Sequence, residues 1–340
     1  MKAALVTGKK TVSIQEIDRP VLDADEVLIK VKVTAVCGSD VHLFNGAHAL
    51  RRAPAILGHE VAGEIAEVGS AVKSFSIGDR VTAEPHVLCE ECEFCKQGLI
   101  NICLNKKVPG TPNWIGTFVE YFNAPEKSVH KLGDNISYEM GVLIEPLSVV
   151  IHSMNRVSIR EKDCIVIMGA GTIGILTLVI AKKMGYKTII TTDTAAFNRE
   201  LSLKFGATAA LDPSQEDVAA IVKEKTGGRG ADLAMVSAAA PNILDEASNC
   251  VRKRGEIGLV SMITQRIPFY SYAPVFMEQN IFGSNAFEAK DFAQSTAMIN
   301  GGLDLSALIT HRFALDQSQE ALTVLSEKKE GVGKVLIRMP

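Results

Sequence analysis

Four of the seven cysteines fall within fifteen residues, in the run EPHVLCEECEFCKQGLINIC. Cys89, Cys92, Cys95 and Cys103 are spaced Cys-x2-Cys-x2-Cys-x7-Cys, so short loops can turn four sulfurs inward around one tetrahedral zinc ion. Four thiolates close such a site. It can hold a local lobe together, over about residues 86–105, but it has no open position for a reacting molecule. A second signal is Gly169-Ala170-Gly171-Thr172-Ile173-Gly174, which follows the apolar run CIVIM and opens an apolar-faced helix. The first glycine permits a tight turn, the second lets backbone approach a pyrophosphate, and the third lets helix and strand pack closely. The diphosphate would sit at the helix N-terminus, where free N–H groups and the dipole favour an anion. Asp193 closes the next strand nineteen residues after Gly174. A carboxylate there accepts hydrogen bonds from ribose hydroxyls and repels a 2′-phosphate, which favours NAD over NADP. Arg199 is the nearby cation that could reach such a phosphate. Gly169, Gly171, Ile173, Gly174, Asp193 and Arg199 are therefore the candidate cofactor-binding residues. The competing reading is a Rossmann-like glycine turn that binds nothing.

These residues need elements to position them. EVLIKVKVTAV and HEVAGEIAEVG carry β-branched runs with strand periodicity, and VKSFSIGDRVTAEP adds a Gly-Asp turn between apolar segments. Short strands with glycine turns predict a barrel-like first domain. From Asp163 the texture changes to alternating strands and helices. CIVIMGAG, KTIITTD, ALD, ADLAMVSA and EIGLVSM read as strands. TIGILTLVIAKKMG and segments around 197–205, 215–226 and 242–253 read as helices. That alternation predicts a doubly wound parallel sheet. DQSQEALTVLSEKKE reads as a late helix and GKVLIRMP as a closing strand that rejoins the first domain.

With 340 residues, 47% hydrophobic and 22% charged, the chain has the composition of a globular protein of two domains. A net charge of −3 without a basic stripe argues against nucleic-acid or anionic-membrane partners. No apolar run is long enough for a signal peptide or a membrane span, so the cytosol is the expected compartment. Thiols stay reduced there, and clustered cysteines point to metal rather than to disulfides. Cys164 and Cys250, in apolar contexts, read as packing residues.

Three further motifs are dispersed: Cys37-Gly38-Ser39-Asp40-Val41-His42, Gly58-His59-Glu60, and Ile144-Glu145-Pro146-Leu147-Ser148. Singly, each has an ordinary structural explanation: a core cysteine, a satisfied histidine, a Glu-Pro loop. In this order, together with the cysteine lobe and the glycine motif, they make the chain resemble the zinc-dependent medium-chain alcohol dehydrogenases over essentially its whole length. Within that superfamily it resembles the sorbitol (polyol) dehydrogenase branch, through EP after DRVTA, FCKQG and above all IEPLS. Better-known alcohol dehydrogenases of the superfamily carry a cysteine where this chain has Glu145. The sorbitol dehydrogenases resembled usually lack a complete lobe set. All four cysteines are present here, as in bacterial polyol, polyol-phosphate and threonine dehydrogenases.

The resemblance implies an α/β protein. Its GroES-like β-rich catalytic domain would comprise 1–150 and 285–340, and its Rossmann NAD-binding domain 151–284, with the active site in the cleft. It implies two zinc ions per chain: a structural one on the four clustered cysteines, and a catalytic one on Cys37, His59 and a carboxylate from Glu60 or Glu145. The zinc would lower the pKa of a substrate hydroxyl, and the alkoxide would pass hydride to the nicotinamide. Ser39 and His42 would relay the proton outward, with a surface imidazole as the plainer reading of His42. Asp40 caps its helix or touches substrate. Phe44 and Trp114 are candidate substrate residues, with His48 nearby, and packing is the alternative for Trp114. Arg51 and Arg52 would bind a substrate phosphate or form a solvated face. The implied activity is oxidation of a secondary alcohol of a polyol by NAD. A threonine 3-dehydrogenase-like or polyol-phosphate dehydrogenase is the alternative, and a metal-free nucleotide-binding member is disfavoured by the intact ligands. A homodimer or homotetramer is implied, with Phe282 and Asn285 near a neighbouring subunit.

Overall fold

The structure, a computed structural model, describes residues 1–48, 51–328 and 331–340. The chain divides into two compact units, Met1–Ser148 with Glu288–Pro340, and Val149–Phe287. Among the described residues, no helix is long and apolar enough to cross a membrane.

The first unit is built on the eleven-residue strand Glu26–Val36, which is buried over most of its length. It pairs antiparallel with Glu60–Val68, Tyr121–Pro125 and Lys334–Arg338. Lys334–Arg338 also pairs in parallel with Ile309–Ala314, so the late strand lies inside the sheet rather than at its rim. Arg80–Ala83 and Val129–Lys131 extend the other side. Valine and isoleucine suit this pleated, two-sided burial. One cluster gathers Val27, Ile29, Val31, Ile65, Val81 and Phe122, and another gathers Val36, Phe44, Phe118, Leu322 and Ile337. Gly63 is required where strands cross closely, since a Cβ there would lie 2.2 Å from the Lys30 carbonyl oxygen.

The cysteine lobe opens where Val87 and Lys107 pair as a two-residue neck. Just before it, the buried Glu84 carboxylate joins two histidines from different segments. Oε1 is 2.8 Å from His130 Nε2, and Oε2 is 3.3 Å from His86 Nε2. Burial pushes the Glu84 pKa up, but the two imidazoles outweigh it and hold the carboxyl below its ordinary value.

The second unit carries a six-stranded parallel sheet in the order Ala209–Leu211, Thr188–Thr192, Cys164–Met168, Ala231–Val236, Val251–Leu259, Asn280–Gly283. The reading of alternating strands and helices holds, with helices Thr172–Lys183, Ala196–Phe205, Val218–Lys225 and Ile243–Cys250 between the strands. The helix expected over 242–253 ends at Cys250, because the chain turns directly into the strand Val251–Leu259. IEPLS is not a loop. It forms the first turn of the helix Ile144–Asn155, where Pro146 removes an N–H that has no intrahelical partner. The late helix spans Ser318–Glu327, and the final two residues of its expected range, 329 and 330, lie outside the described residues. Cys164 and Cys250 are buried in the core of this unit, and burial pushes both thiols up to about 12. The edge strand Asn280–Gly283 pairs on one side only. Tyr270, Tyr272, Val275, Phe276 and Ile281, in the segments leading into and along it, are all exposed.

Candidate active site and metal centres

The end of the strand Glu26–Val36 delivers Cys37 as the N-cap of the short helix Gly38–Phe44. The strand Glu60–Val68 begins beside it, with Ala35 opposite Glu60. This register brings ligand atoms of Cys37, His59 and Glu60 within 4.8 Å of one another. Asp40 ties the group together. Its Oδ2 accepts the Cys37 N–H at 3.0 Å, its Oδ1 accepts the Gly58 N–H at 3.2 Å, and Oδ1 stands 3.6 Å from His59 Nδ1. Arg51 lies 4.0 Å from that same oxygen. A single buried carboxylate thus orients both a cysteine and a histidine, the arrangement by which metal-ligating histidines are generally held. The helix-cap reading of Asp40 was half of its role. Its reach to the Gly58–His59 segment was not visible in the sequence.

Glu60 is fully buried, and the equally sequestered Lys334 ammonium lies 2.6 Å from its Oε1 and 2.5 Å from its Oε2. Glu145, in the first turn of the helix Ile144–Asn155, is not part of the three-residue group. Burial raises its pKa to about 7, with Glu60 adding to the rise and His59 opposing it. Desolvation pushes the His59 pKa down, yet Asp40 and Cys37 outweigh it and hold the imidazole well above its usual range.

These features fit a divalent cation. Donor atoms of one thiol, one imidazole and one carboxylate converge within 4.8 Å of one another. When Cys37, Asp40, Glu60 and Glu145 are ionised, Lys334 and Arg51 leave two negative charges over. One thiolate, one imidazole and one carboxylate are the donors of a catalytic zinc that keeps an open position.

Ser39 is buried on the same helix, and no hydrogen bond holds its hydroxyl among the described residues; His42, three residues on, is half-buried. The two candidate substrate residues are both packed within the first unit. Phe44 is 1% exposed and belongs to the cluster with Phe118 and Leu322. Trp114 stacks on Phe122 at 5.3 Å and donates its indole N–H to the Asn123 carbonyl at 2.9 Å. Both rings serve the barrel core.

The four lobe cysteines are likewise within 4.8 Å of one another and form no disulfide. The Cys103 and Cys89 sulfurs are 3.4 Å apart, and the Cys89 N–H points at Cys103 Sγ from 3.5 Å. Backbone N–H groups of Leu104 and Cys95 draw Cys92 down to about 6, while burial and the surrounding sulfurs push Cys95 up to about 12. Converging thiols with backbone donors to sulfur fit a closed zinc site.

In the second unit Gly169 adopts φ +96, and a Cβ on Gly174 would lie 1.9 Å from the Gly169 carbonyl oxygen. Nothing lies within 4 Å of a Cβ built on Gly171, and no side chain caps the helix Thr172–Lys183 that it begins. Open space at an uncapped helix N-terminus fits a pyrophosphate. Ile173 is on the first turn of this helix, and its carbonyl accepts the Thr177 hydroxyl. Asp193 accepts the Ala170 and Ala195 N–H groups, each at 2.9 Å. Arg199 donates to the Asp193 and Thr194 carbonyls and pairs with Asp212, 3.0 Å away.

Comparison with known proteins accords with this geometry. Residues 23–134 match the alcohol dehydrogenase GroES-like domain, and residues 172–301 match the zinc-binding dehydrogenase domain. The sorbitol dehydrogenase of Bacillus subtilis (strain 168) is 36% identical across 99% of this chain and 97% of its own. The chain belongs to the zinc-dependent medium-chain alcohol dehydrogenases, in their polyol dehydrogenase-like branch. An Escherichia coli oxidoreductase/dehydrogenase of unknown specificity superposes with a TM-score of 0.94 at 30% identity, covering 100% of this chain and 99% of the other. A zinc-binding dehydrogenase from Sinorhizobium meliloti 1021, solved with NADP, superposes with a TM-score of 0.90 at 26% identity, covering 99% and 98%. A medium-chain dehydrogenase of this branch is an oxidoreductase acting on alcohols.

Proposed function

We propose that the protein oxidises a secondary alcohol of a polyol or sugar alcohol with NAD, using one catalytic and one structural zinc per chain. The observation that carries this reading is the convergence of Cys37, His59 and Glu60 on one buried point beside Glu145. When bound, the zinc supplies Lewis acidity towards the alcohol oxygen and the nicotinamide accepts the hydride. Cys37 and His59 hold the metal, and Asp40 keeps both oriented. Glu60 and Glu145 supply carboxylate to the same site. Ser39 takes up the alcohol proton and His42, on the same face of the helix three residues later, passes it on to water. Asp193 supports NAD by placing a carboxylate where a 2′-phosphate would be repelled, and the nearby cation, Arg199, is committed to Asp212. The four lobe cysteines keep the second zinc away from the reaction.

A second copy of the chain is the protein partner proposed. The open edge strand Asn280–Gly283 presents unpaired backbone groups beside exposed aromatic and aliphatic side chains.

The test is NADH formation by the purified protein across sugar alcohols, phosphorylated polyols and amino alcohols, with NADP in parallel, together with a metal assay. Turnover of a polyol with NAD, two zinc ions per chain, and loss of turnover in Cys37→Ala are expected. Undiminished turnover in Cys37→Ala would sink the catalytic assignment. A preference for NADP would sink the role given to Asp193.

A further inference from the structure

Among the described residues, Lys334 is the one buried cation whose ammonium touches a candidate metal ligand, and no motif points to it. It is 3% exposed, sits at the start of the strand Lys334–Arg338, and is separated from Glu60 by 274 residues of chain. The strand Glu26–Val36 explains how the two meet. Glu60 lies across from Ala35 on one side of it, and Val335 lies across from Val36 on the other. Strands on either side of a central one are about 10 Å apart, a span closed only by two long side chains reaching over the strand end. That strand end carries Cys37. Burying an ammonium is costly unless it is paired. Here the partner is a carboxylate that would otherwise be free to turn wholly to a metal.

We propose that Lys334 is a positioning residue of the metal centre: it holds Glu60 partly back from the metal, and so keeps a coordination position open for substrate. The inference rests on the reading of Cys37, His59 and Glu60 as metal ligands. A purely structural Lys334 would favour the opposite behaviour. Removing a buried ion-pair partner from a structural pair loosens the strand, and a loosened site loses metal faster. Removing a lysine that restrains Glu60 deletes a positive charge near the cation and frees a carboxylate to occupy the open position. Metal is then held more tightly while turnover falls.

The experiment measures zinc release from the loaded, full-length protein to an excess of chelator, alongside turnover and the visible spectrum of the cobalt-substituted protein. The release phase missing in Cys37→Ala belongs to this site. In Lys334→Met that phase is expected to slow, and turnover to drop, each by about 10- to 100-fold, the usual scale for a residue that supports a metal ligand. The cobalt spectrum should change with the altered donor set. In Glu60→Gln/Lys334→Met, which removes both charges of the pair and so guards against misfolding, release should match Glu60→Gln alone. Release from Lys334→Met that is unchanged or faster overturns the proposal, as does an undiminished lysine effect in the Glu60→Gln background. If the wild type has no release phase that Cys37→Ala removes, the metal reading itself fails and this inference falls with it.

Discussion

Asp40 illustrates how a buried carboxylate can matter to a reaction without touching a substrate. One oxygen fixes the Cys37 backbone, and the other fixes Gly58 and faces His59. Burial pushes its pKa up, but His59 above all, then Arg51 and the Cys37 N–H, outweigh this and hold the carboxyl below its ordinary value. Asp40→Asn keeps the shape and removes the charge that orients the imidazole. It is expected to lower metal affinity or turnover by about 10- to 100-fold, read by chelator competition and steady-state rates. Metal retention and rates equal to the wild type would refute this role. At this scale the sequence was partly legible. Cys37, His59 and Glu60 stood out because sulfur, imidazole and carboxylate are chemically conspicuous types. Asp40 and Lys334 did not, because their importance lies in pairings set by strand register. For Phe44 and Trp114 the sequence left packing and substrate contact open, because residue type alone does not say which way a ring points.

Among the elements, the neck of the cysteine lobe has a support of its own beside the four cysteines. Glu84, at the end of the strand Arg80–Ala83, links His86 at the lobe entrance to His130 on the strand Val129–Lys131. A carboxyl held below its ordinary 4.5 in the folded state stabilises the fold above that value and loses its contribution as pH falls through the depressed folded value. Glu84→Gln should therefore cost about 1.5–3 kcal/mol near pH 7, the scale of hydrogen bonds to a charged group. The deficit should shrink below about pH 4.5, as followed by denaturant unfolding at several pH values. A deficit independent of pH would show that the charge is not what matters. The elements themselves were largely readable. The strand Glu26–Val36 and the alternation from Cys164 onward follow from period and β-branching. The helix at Ile144–Asn155 was missed because Glu-Pro suggests a loop, although proline is harmless in a first turn.

At the scale of the whole molecule, the exposed edge of the parallel sheet is the feature that a lone chain explains least well. Ile281→Lys places a charge on the edge strand, where charges deter strand pairing. Wild-type protein is expected to sediment as a dimer or larger species and the variant to shift towards monomer, with nucleotide binding retained. A wild type that sediments as a monomer would remove the second copy from the account. The two-unit layout was foreshadowed by the change of texture in the sequence, and the return of GKVLIRMP to the first unit by its strand character. What could not be foreseen was its place inside the sheet, one strand in from the edge, since pairing order is decided by partners far away in the chain.

That inner place has a consequence in time. Among the described residues the sheet links Glu26–Val36 to Ile309–Ala314 through Lys334–Arg338, so a nascent chain emerging from the ribosome has its whole second unit available for folding before the barrel sheet can close. Until then Cys37, His59 and Glu60 lack the lysine that faces Glu60, and the candidate metal pocket is complete only once residue 334 has left the ribosome.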